Sequence, residues 1–305
     1  MSARIAILTP DPDDRDFHSR WREVFEEGAA VLRRAGLAAE DRAWTRPADF
    51  AAFDLILPLL TWGYCRAAPA WRTAVDGWAA RGLPVLNPPP VLRWNVDKAY
   101  LGRLAARGAP VVPTRYVDRV SEQALRDAAT AFGTEALIAK PRISASAWQT
   151  IRWSPGAALD GGPEGPAMIQ PFLPAILDEG EISLIYVAGA FSHAIRKRPS
   201  PGDFRVQPEH AGIITPHAPA PDERAAADII LAAVGEELLY ARVDICRDAA
   251  GAPMLMELEL VEPDLYFQHD PQGGAAFADA VGRAADQRPV FRASSDATNS
   301  PSGLA

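Results

Sequence analysis

The amino-acid sequence predicts an α/β protein: a parallel, doubly wound sheet at the N-terminal end, followed by two α+β modules. Three observations carry this. Short apolar runs alternate with helical periods up to about residue 87. Three prolines, Pro88 to Pro90, then interrupt the pattern, and beyond Val112 strands dominate, separated by Gly and Pro loops.

Residues 4 to 9, Arg-Ile-Ala-Ile-Leu-Thr, read as a buried strand, followed by an acidic loop and a helical period from Phe17 to Gly36, where glycine would stop a helix. Strands are expected near Ala39 to Trp44 and at Asp54 to Leu60. The latter is the near-continuous apolar run of a strand covered on both faces. A helix follows over Ala67 to Arg81, and Leu83 to Asn87 gives a short fourth strand. The prolines break the pattern, and Asn95 is expected to cap a helix over Lys98 to Arg107. Next come strand 113–118, helix 121–132 and strands at 136–141, 149–153 and 167–172. A strand from Glu181 then leads through a hairpin at Gly189 and a long loop to Pro221. A helix at 223–237 precedes two strands, around Asp244 and from Met254 to Leu260, and a helix at 274–285 ends the pattern. Residues 288–305, rich in Ser, Ala, Asn and Pro, lack periodicity and read as a disordered tail. The expected division is 1–95, 96–173, 174–286 and a tail at 287–305.

A chain of 305 residues, 48% hydrophobic and 23% charged, can bury a large core. Its 31 basic and 39 acidic residues leave a net charge of -8 without a basic stripe, which argues against nucleic acid or anionic lipid as partner. Cys65 and Cys246 are too few and too far apart for a disulfide framework or a zinc knuckle. No leader and no apolar run of membrane-spanning length is evident, and a reducing cytoplasm is expected.

The strongest chemical signal is Arg242-Val-Asp244, a turn at Asp248-Ala-Ala-Gly251, then Glu257-Leu-Glu259. Alternation places Glu257 and Glu259 on one strand face, with Asp244 of the partner strand within reach. Three converging carboxylates repel one another unless a cation intervenes, and hard oxygen ligands select Mg2+ or Mn2+. The plain alternative is a solvated acidic strand edge, against which Asp244 and the hairpin weigh. A phosphate site needs cations, and the chain offers Lys98, Lys140, Arg196, Lys197 and Arg205 upstream of the hairpin. Lys98, Lys140 and Lys197 are its only lysines. Lys140 closes an apolar strand, where an ammonium can meet a phosphate.

The ordered blocks Asn95-Val-Asp-Lys98, Ile138-Ala-Lys140-Pro, Ile169-Gln170-Pro-Phe172-Leu173, Gly180-Glu181-Ile-Ser183, Arg196, Arg205, Arg242-Val-Asp244 and Met256-Glu257-Leu-Glu259 resemble the ATP-grasp superfamily. Within it the chain is most similar to bacterial glutathione synthetase and to the small ATP-grasp ligases of natural-product pathways. The resemblance implies an N-terminal Rossmann-like domain and two α+β modules clasping ATP. It also implies an ADP-forming ligase that joins a small-molecule carboxylate to an amine through an acyl phosphate, with a homodimer as a frequent state. By position, Lys98 and Lys140 would hold the nucleotide phosphates and Gln170 to Leu173 would meet adenine. Ile138, Phe172 and Met256 would sandwich the ring, and Glu181 would sit near the ribose. Arg196 and Arg205, with Lys197, would face the transferred phosphoryl group, and Asp244, Glu257 and Glu259 would be the metal ligands. Two departures stand out: Glu259 replaces the family's usual Asn, and Arg142-Ile-Ser144-Ala-Ser146-Ala-Trp148 replaces a glycine-rich lid loop, leaving Ser144 and Ser146 to cover phosphates.

The first domain should supply substrate contacts. Thr61-Trp62-Gly-Tyr64 follows a strand at its carboxyl end, where ligands of open sheets bind, and Trp62 and Tyr64 either stack on a substrate or are structural aromatics. Tyr266 and Phe267 form a second candidate wall, and His210, near Arg205, is a further candidate substrate contact or an ordinary loop residue. The five histidines show no metal-binding spacing and no Ser-His-Asp order stands out. Two other functions fit the same residues: phosphoryl transfer to a hydroxyl, and nucleotide binding without turnover.

Overall fold

The computed structural model describes residues 2–17 and 20–287, so the tail expected at 287–305 lies, beyond Gln287, outside the described residues. The N-terminal sheet has β1 (Arg4–Thr9) at its centre. After α1 (Arg20–Arg34), β2 (Ala38–Ala43) and β3 (Leu55–Leu57) pair with β1 on either side, both parallel, in the order β2-β1-β3. The period of two explains why β1 and β3 are apolar on both faces: Ile5, Ile7, Leu55 and Leu57 pack with Phe25, Ala29 and Leu32 of α1, whereas Ala6, Leu8 and Ile56 pack with a second cluster on the opposite face. That second face is covered by α2 (Ala68–Ala80) through Trp71, Val75 and Trp78. Each fully buried large side chain here stabilises by roughly 1.5–3 kcal/mol. The expected fourth strand contributes only one bridge, Ile56 to Val85.

The proline segment starts a helix rather than merely breaking the pattern. In α3 (Pro89–Asn95) Pro88 is the N-cap and a proline opens the first turn, where the missing N–H would have no partner in any case. Asn95 is therefore not the cap of the next helix, α4 (Tyr100–Ala106). Its buried side chain instead donates to Leu258 O and accepts from Leu260 N, both at 2.9 Å.

A small antiparallel sheet follows. It is built from β4 (Arg115–Val117), β5 (Leu137–Pro141), β6 (Ile151–Trp153) and β7 (Ala167–Pro171), in the order β4-β7-β5-β6. It is backed by α5 (Glu122–Phe132), which lies between β4 and β5 in the chain. Ser121 caps α5 by accepting from Ala124 N, and Gly133 ends it in the left-handed region at φ +67°.

The third sheet has five strands. After the short α6 (Ala175–Asp178) come β8 (Glu181–Val187), β9 (Ala190–Arg198) and β10 (Ile213–Pro216). Then follow α7 (Pro221–Val234), β11 (Tyr240–Arg247), β12 (Pro253–Glu259) and α8 (Ala275–Asp286). The order is β10-β9-β8-β11-β12, and every pairing is antiparallel. The region read as a long loop thus contains an edge strand. Packing also crosses the expected divisions. Tyr100, Leu101 and Leu104 of α4 bury in the core beneath the five-stranded sheet, and Phe277 and Val281 of α8 join the core under β1 and β3.

Candidate nucleotide and substrate site

One face of the five-stranded sheet carries the chemistry, and its register explains which side chains meet. Arg242 lies opposite Glu259, Asp244 opposite both Glu257 and Ser183, and Glu181 opposite Lys197, so all project to the same side. That side faces a cavity of about 990 Å3 also walled by the other two sheets. Lys197 Nζ stands 2.8 Å from Glu181 Oε1 and 3.7 Å from Asp244 Oδ2. Asp244 accepts from Ser183 Oγ at 2.6 Å and from Arg242 Nη2 at 2.9 Å, and Arg242 also pairs with Glu259. Lys98 donates to Ser144 O at 2.5 Å and approaches Glu257 to 3.3 Å.

The charges perturb one another strongly. Burial pushes Asp244 upward, but Arg242 and Lys197 outweigh it and hold the carboxyl at about 2. Burial pushes Glu259 up to about 7 against the pull of Arg242. Glu257 goes the other way: Lys98 and Lys140 overcome burial and lower it. Burial lowers Lys140. Among the described residues the Lys140 ammonium makes no hydrogen bond or ion pair, unlike Lys98 and Lys197.

The remaining candidates divide clearly. Ile138, Phe172, Leu173 and Met256 form an apolar slot with Val206 and Cys246 between the small sheet and the five-stranded sheet. Gln170 lines the cavity and donates to Thr114 Oγ1 at 2.9 Å. Ser144 and Ser146 lie on the loop over the opening. The left-handed turns of that loop fall on Ser146, Ala147 and Gln149, at φ +51°, +54° and +51°, so the missing glycines are replaced by residues that adopt this region at a cost of roughly 1 kcal/mol each. Trp62 and Tyr64 both line the cavity, and Tyr64 also packs against Trp71 at 5.4 Å between ring centroids. Tyr266 and Phe267 line it as well, with the Lys197 ammonium 5.6 Å from the Tyr266 ring. Arg205 reaches the cavity edge, paired with Asp203 at 2.8 Å.

Three expectations need correction. Arg196 and Lys197 are consecutive on β9 and so point to opposite faces. Lys197 enters the cavity, whereas Arg196 donates to Glu179 O at 3.0 Å and meets His217 Nδ1 at 3.2 Å behind the sheet. His210 does not line the cavity; its carbonyl accepts from Ser200 Oγ. Asp244 is buried and already bonded to Arg242 and Ser183, so the three carboxylates do not converge on open space. Among the described residues no three His, Cys, Asp or Glu side chains are grouped to hold a metal ion. Glu257 and Glu259 remain, with side chains 33% and 28% exposed toward the cavity. Two hard carboxylates on one face suit a magnesium ion that takes its other ligands from phosphates and water.

Two residues were given no role by the sequence reading. Arg242 stands two positions before Asp244 on one strand, and that spacing alone would have placed it on the same face. Glu262 enters from the loop after β12, where no periodicity applies.

Comparison with known proteins bears on the fold and on the class of reaction. The family model described as the N-terminal domain of D-cycloserine synthetase DcsG matches residues 5–87. The cycloserine biosynthesis protein DcsG of Streptomyces lavendulae is 28% identical over 282 residues, covering 82% of this chain and 90% of that protein. The crystal structure of D-cycloserine synthetase DcsG superposes with a TM-score of 0.77 at 26% identity, covering 93% of this chain and 100% of the other. The chain has the ATP-grasp fold and is an ATP-dependent ligase. The ATP-grasp ligase PsnB, at 16% identity and a TM-score of 0.62 over 92% of this chain and 99% of its own, shares the fold. Among the described residues of this ATP-grasp ligase, no helix is long and apolar enough to cross a membrane.

Proposed function

We propose that this ATP-grasp ligase uses ATP and Mg2+ to convert a small-molecule carboxylate into an acyl phosphate that an amine then captures. The observation that carries the reading is one cavity in which Lys98, Lys140, Lys197 and Arg242 stand beside Glu257 and Glu259, next to an apolar slot. A carboxylate is anionic and lacks a leaving group, so two anions must first be brought together, which requires fixed positive charge.

In this reading Ile138, Phe172 and Met256 hold adenine, and Gln170 to Leu173 offer it backbone contacts. Lys140 and Lys98 neutralise the phosphates, Lys98 giving up Glu257 to do so. Glu257 and Glu259 would hold the magnesium, which when bound draws phosphate charge away from the reacting centre. The substrate carboxylate oxygen attacks the γ-phosphorus, the bond from that phosphorus to the β–γ bridging oxygen breaks, and ADP departs. The amine nitrogen then attacks the acyl carbon, phosphate leaves with the C–O electron pair, and the nitrogen loses a proton. Arg242 and Lys197 face the developing charge in both steps, with Asp244 and Glu181 holding them in place. Arg205 serves at the cavity edge, and Trp62 and Tyr64 flank the substrate.

An ADP-release screen of small carboxylic acids and amines, with hydroxylamine added, tests this. An acyl phosphate gives a hydroxamate. ADP release with a phosphorylated hydroxyl product and no hydroxamate would favour a kinase instead.

A further inference from the structure

Glu262 sits on the loop after β12 and lines the cavity together with Tyr64 and Cys65. Its Oε2 is shut off from water and has no hydrogen-bond partner. Among the described residues its carboxyl enters no ion pair. The one cation that draws on it, Arg242, is committed to Asp244 and Glu259. Burial pushes the Glu262 carboxyl well above its usual range, and Glu259 pushes it further the same way. A carboxyl oxygen shut off from water without a partner is costly, and with the rest of the carboxyl open to the cavity it calls for a partner that arrives from outside.

The surroundings narrow that partner. Tyr64 lies close enough to feel the Glu262 charge, Trp62 and Tyr266 line the same cavity, and a carboxylate with aromatic neighbours suits an ammonium group better than a divalent metal, which demands several oxygen ligands. Arg242 apart, no cavity cation draws on Glu262, and Lys98, Lys140, Lys197 and Arg205 draw a carboxylate. Resting on the ligase reading above, we propose that Glu262 is a specificity-determining residue that binds the ammonium of a zwitterionic acid substrate, while the cationic side of the cavity takes its carboxylate.

The test compares matched pairs on the full chain saturated with Mg-ADP: alanine against lactate and serine against glycerate, in both configurations. Tryptophan fluorescence reads binding without turnover. An ammonium held by a buried carboxylate should make one member of the amino-acid set bind about tenfold or more tightly than its hydroxy acid. Glu262→Gln should erase that preference, and Glu262→Asp should retain part of it. Unchanged ADP affinity in both variants shows that they fold. Equal binding within each pair, an undiminished preference in Glu262→Gln, or binding of none of the acids would overturn the assignment. The hydroxamate assay separates the two readings. Glu262-dependent amino-acid binding with no hydroxamate from any acid overturns the ligase reading alone. Hydroxamate formed as readily from the hydroxy acids overturns the role of Glu262 alone.

Discussion

Replacing Lys140 by Met separates binding from folding in a way few substitutions at this site can. Lys140 is the last residue but one of β5, burial depresses its pKa, and among the described residues its ammonium has neither a hydrogen bond nor an ion pair. The charge therefore contributes little to the folded state without ligand, and methionine keeps most of the stem's packing. If Lys140 holds a phosphate, removing a charged hydrogen bond worth about 1.5–3 kcal/mol weakens Mg-ATP binding by roughly ten- to a hundredfold. The unliganded protein should meanwhile melt within a few degrees of the parent, or slightly higher. Lys98→Met is the control. Lys98 donates to Ser144 O and neighbours Glu257, so its loss strips a buried carbonyl and a carboxylate of their partner. At about 2–4 °C per kcal/mol, a cost of about 1–3 kcal/mol lowers the melting temperature visibly. Calorimetry of both variants, with and without nucleotide, gives the four numbers. A Lys140→Met protein that binds Mg-ATP like the parent, or that melts as low as Lys98→Met, would refute the reasoning.

Arg242→Met leaves Asp244 and Glu259 without their shared guanidinium, and urea unfolding should show a loss of about 3–5 kcal/mol together with collapsed turnover. Arg196→Ala, on the far side of β9, should leave steady-state ADP release within about twofold of the parent, since second-layer surface changes are usually small; a tenfold loss would return Arg196 to the cavity. Burial lowers the pKa of His193, whose Nε2 lies 2.9 Å from Leu265 O. The unfolded chain thus takes up that proton at a higher pH than the folded one. His193 stabilises the fold fully above its ordinary value of about 6.5, and that stability is lost as pH falls through its depressed folded value. Unfolding free energies measured from pH 8 down to 5 should fall less steeply in His193→Phe.

Much of this protein is legible in its sequence because the signals are local. The apolar run around Leu55 to Leu57, the Ser121 cap with Gly133 closing α5, and the alternation Glu257-Leu-Glu259 each follow from a period or a cap that neighbouring residues determine. The order of lysines and carboxylates along the chain was sufficient to indicate the ATP-grasp ligases. The same period of two joins Arg242 to Asp244 on the strand expected there, but it separates Lys197 from Arg196 only once the bounds of β9 are known.

Other features depend on contacts between distant segments, and only the tertiary structure decided them. Asn95 looks like a helix cap until Leu258 and Leu260, more than 160 residues on, are seen to take both its hydrogen bonds. α4 and α8 read as parts of their own modules, yet they bury against other sheets, because an apolar face is satisfied by whichever sheet lies beside it. Asp244 reads as a metal ligand from its spacing. The cross-strand register sets it against Ser183 and Arg242, so burial and pairing, which no local pattern encodes, turn it into the anchor of an arginine. Glu262 has no periodicity to reveal it, and its unpartnered carboxyl emerges only when the loop after β12 closes the cavity wall.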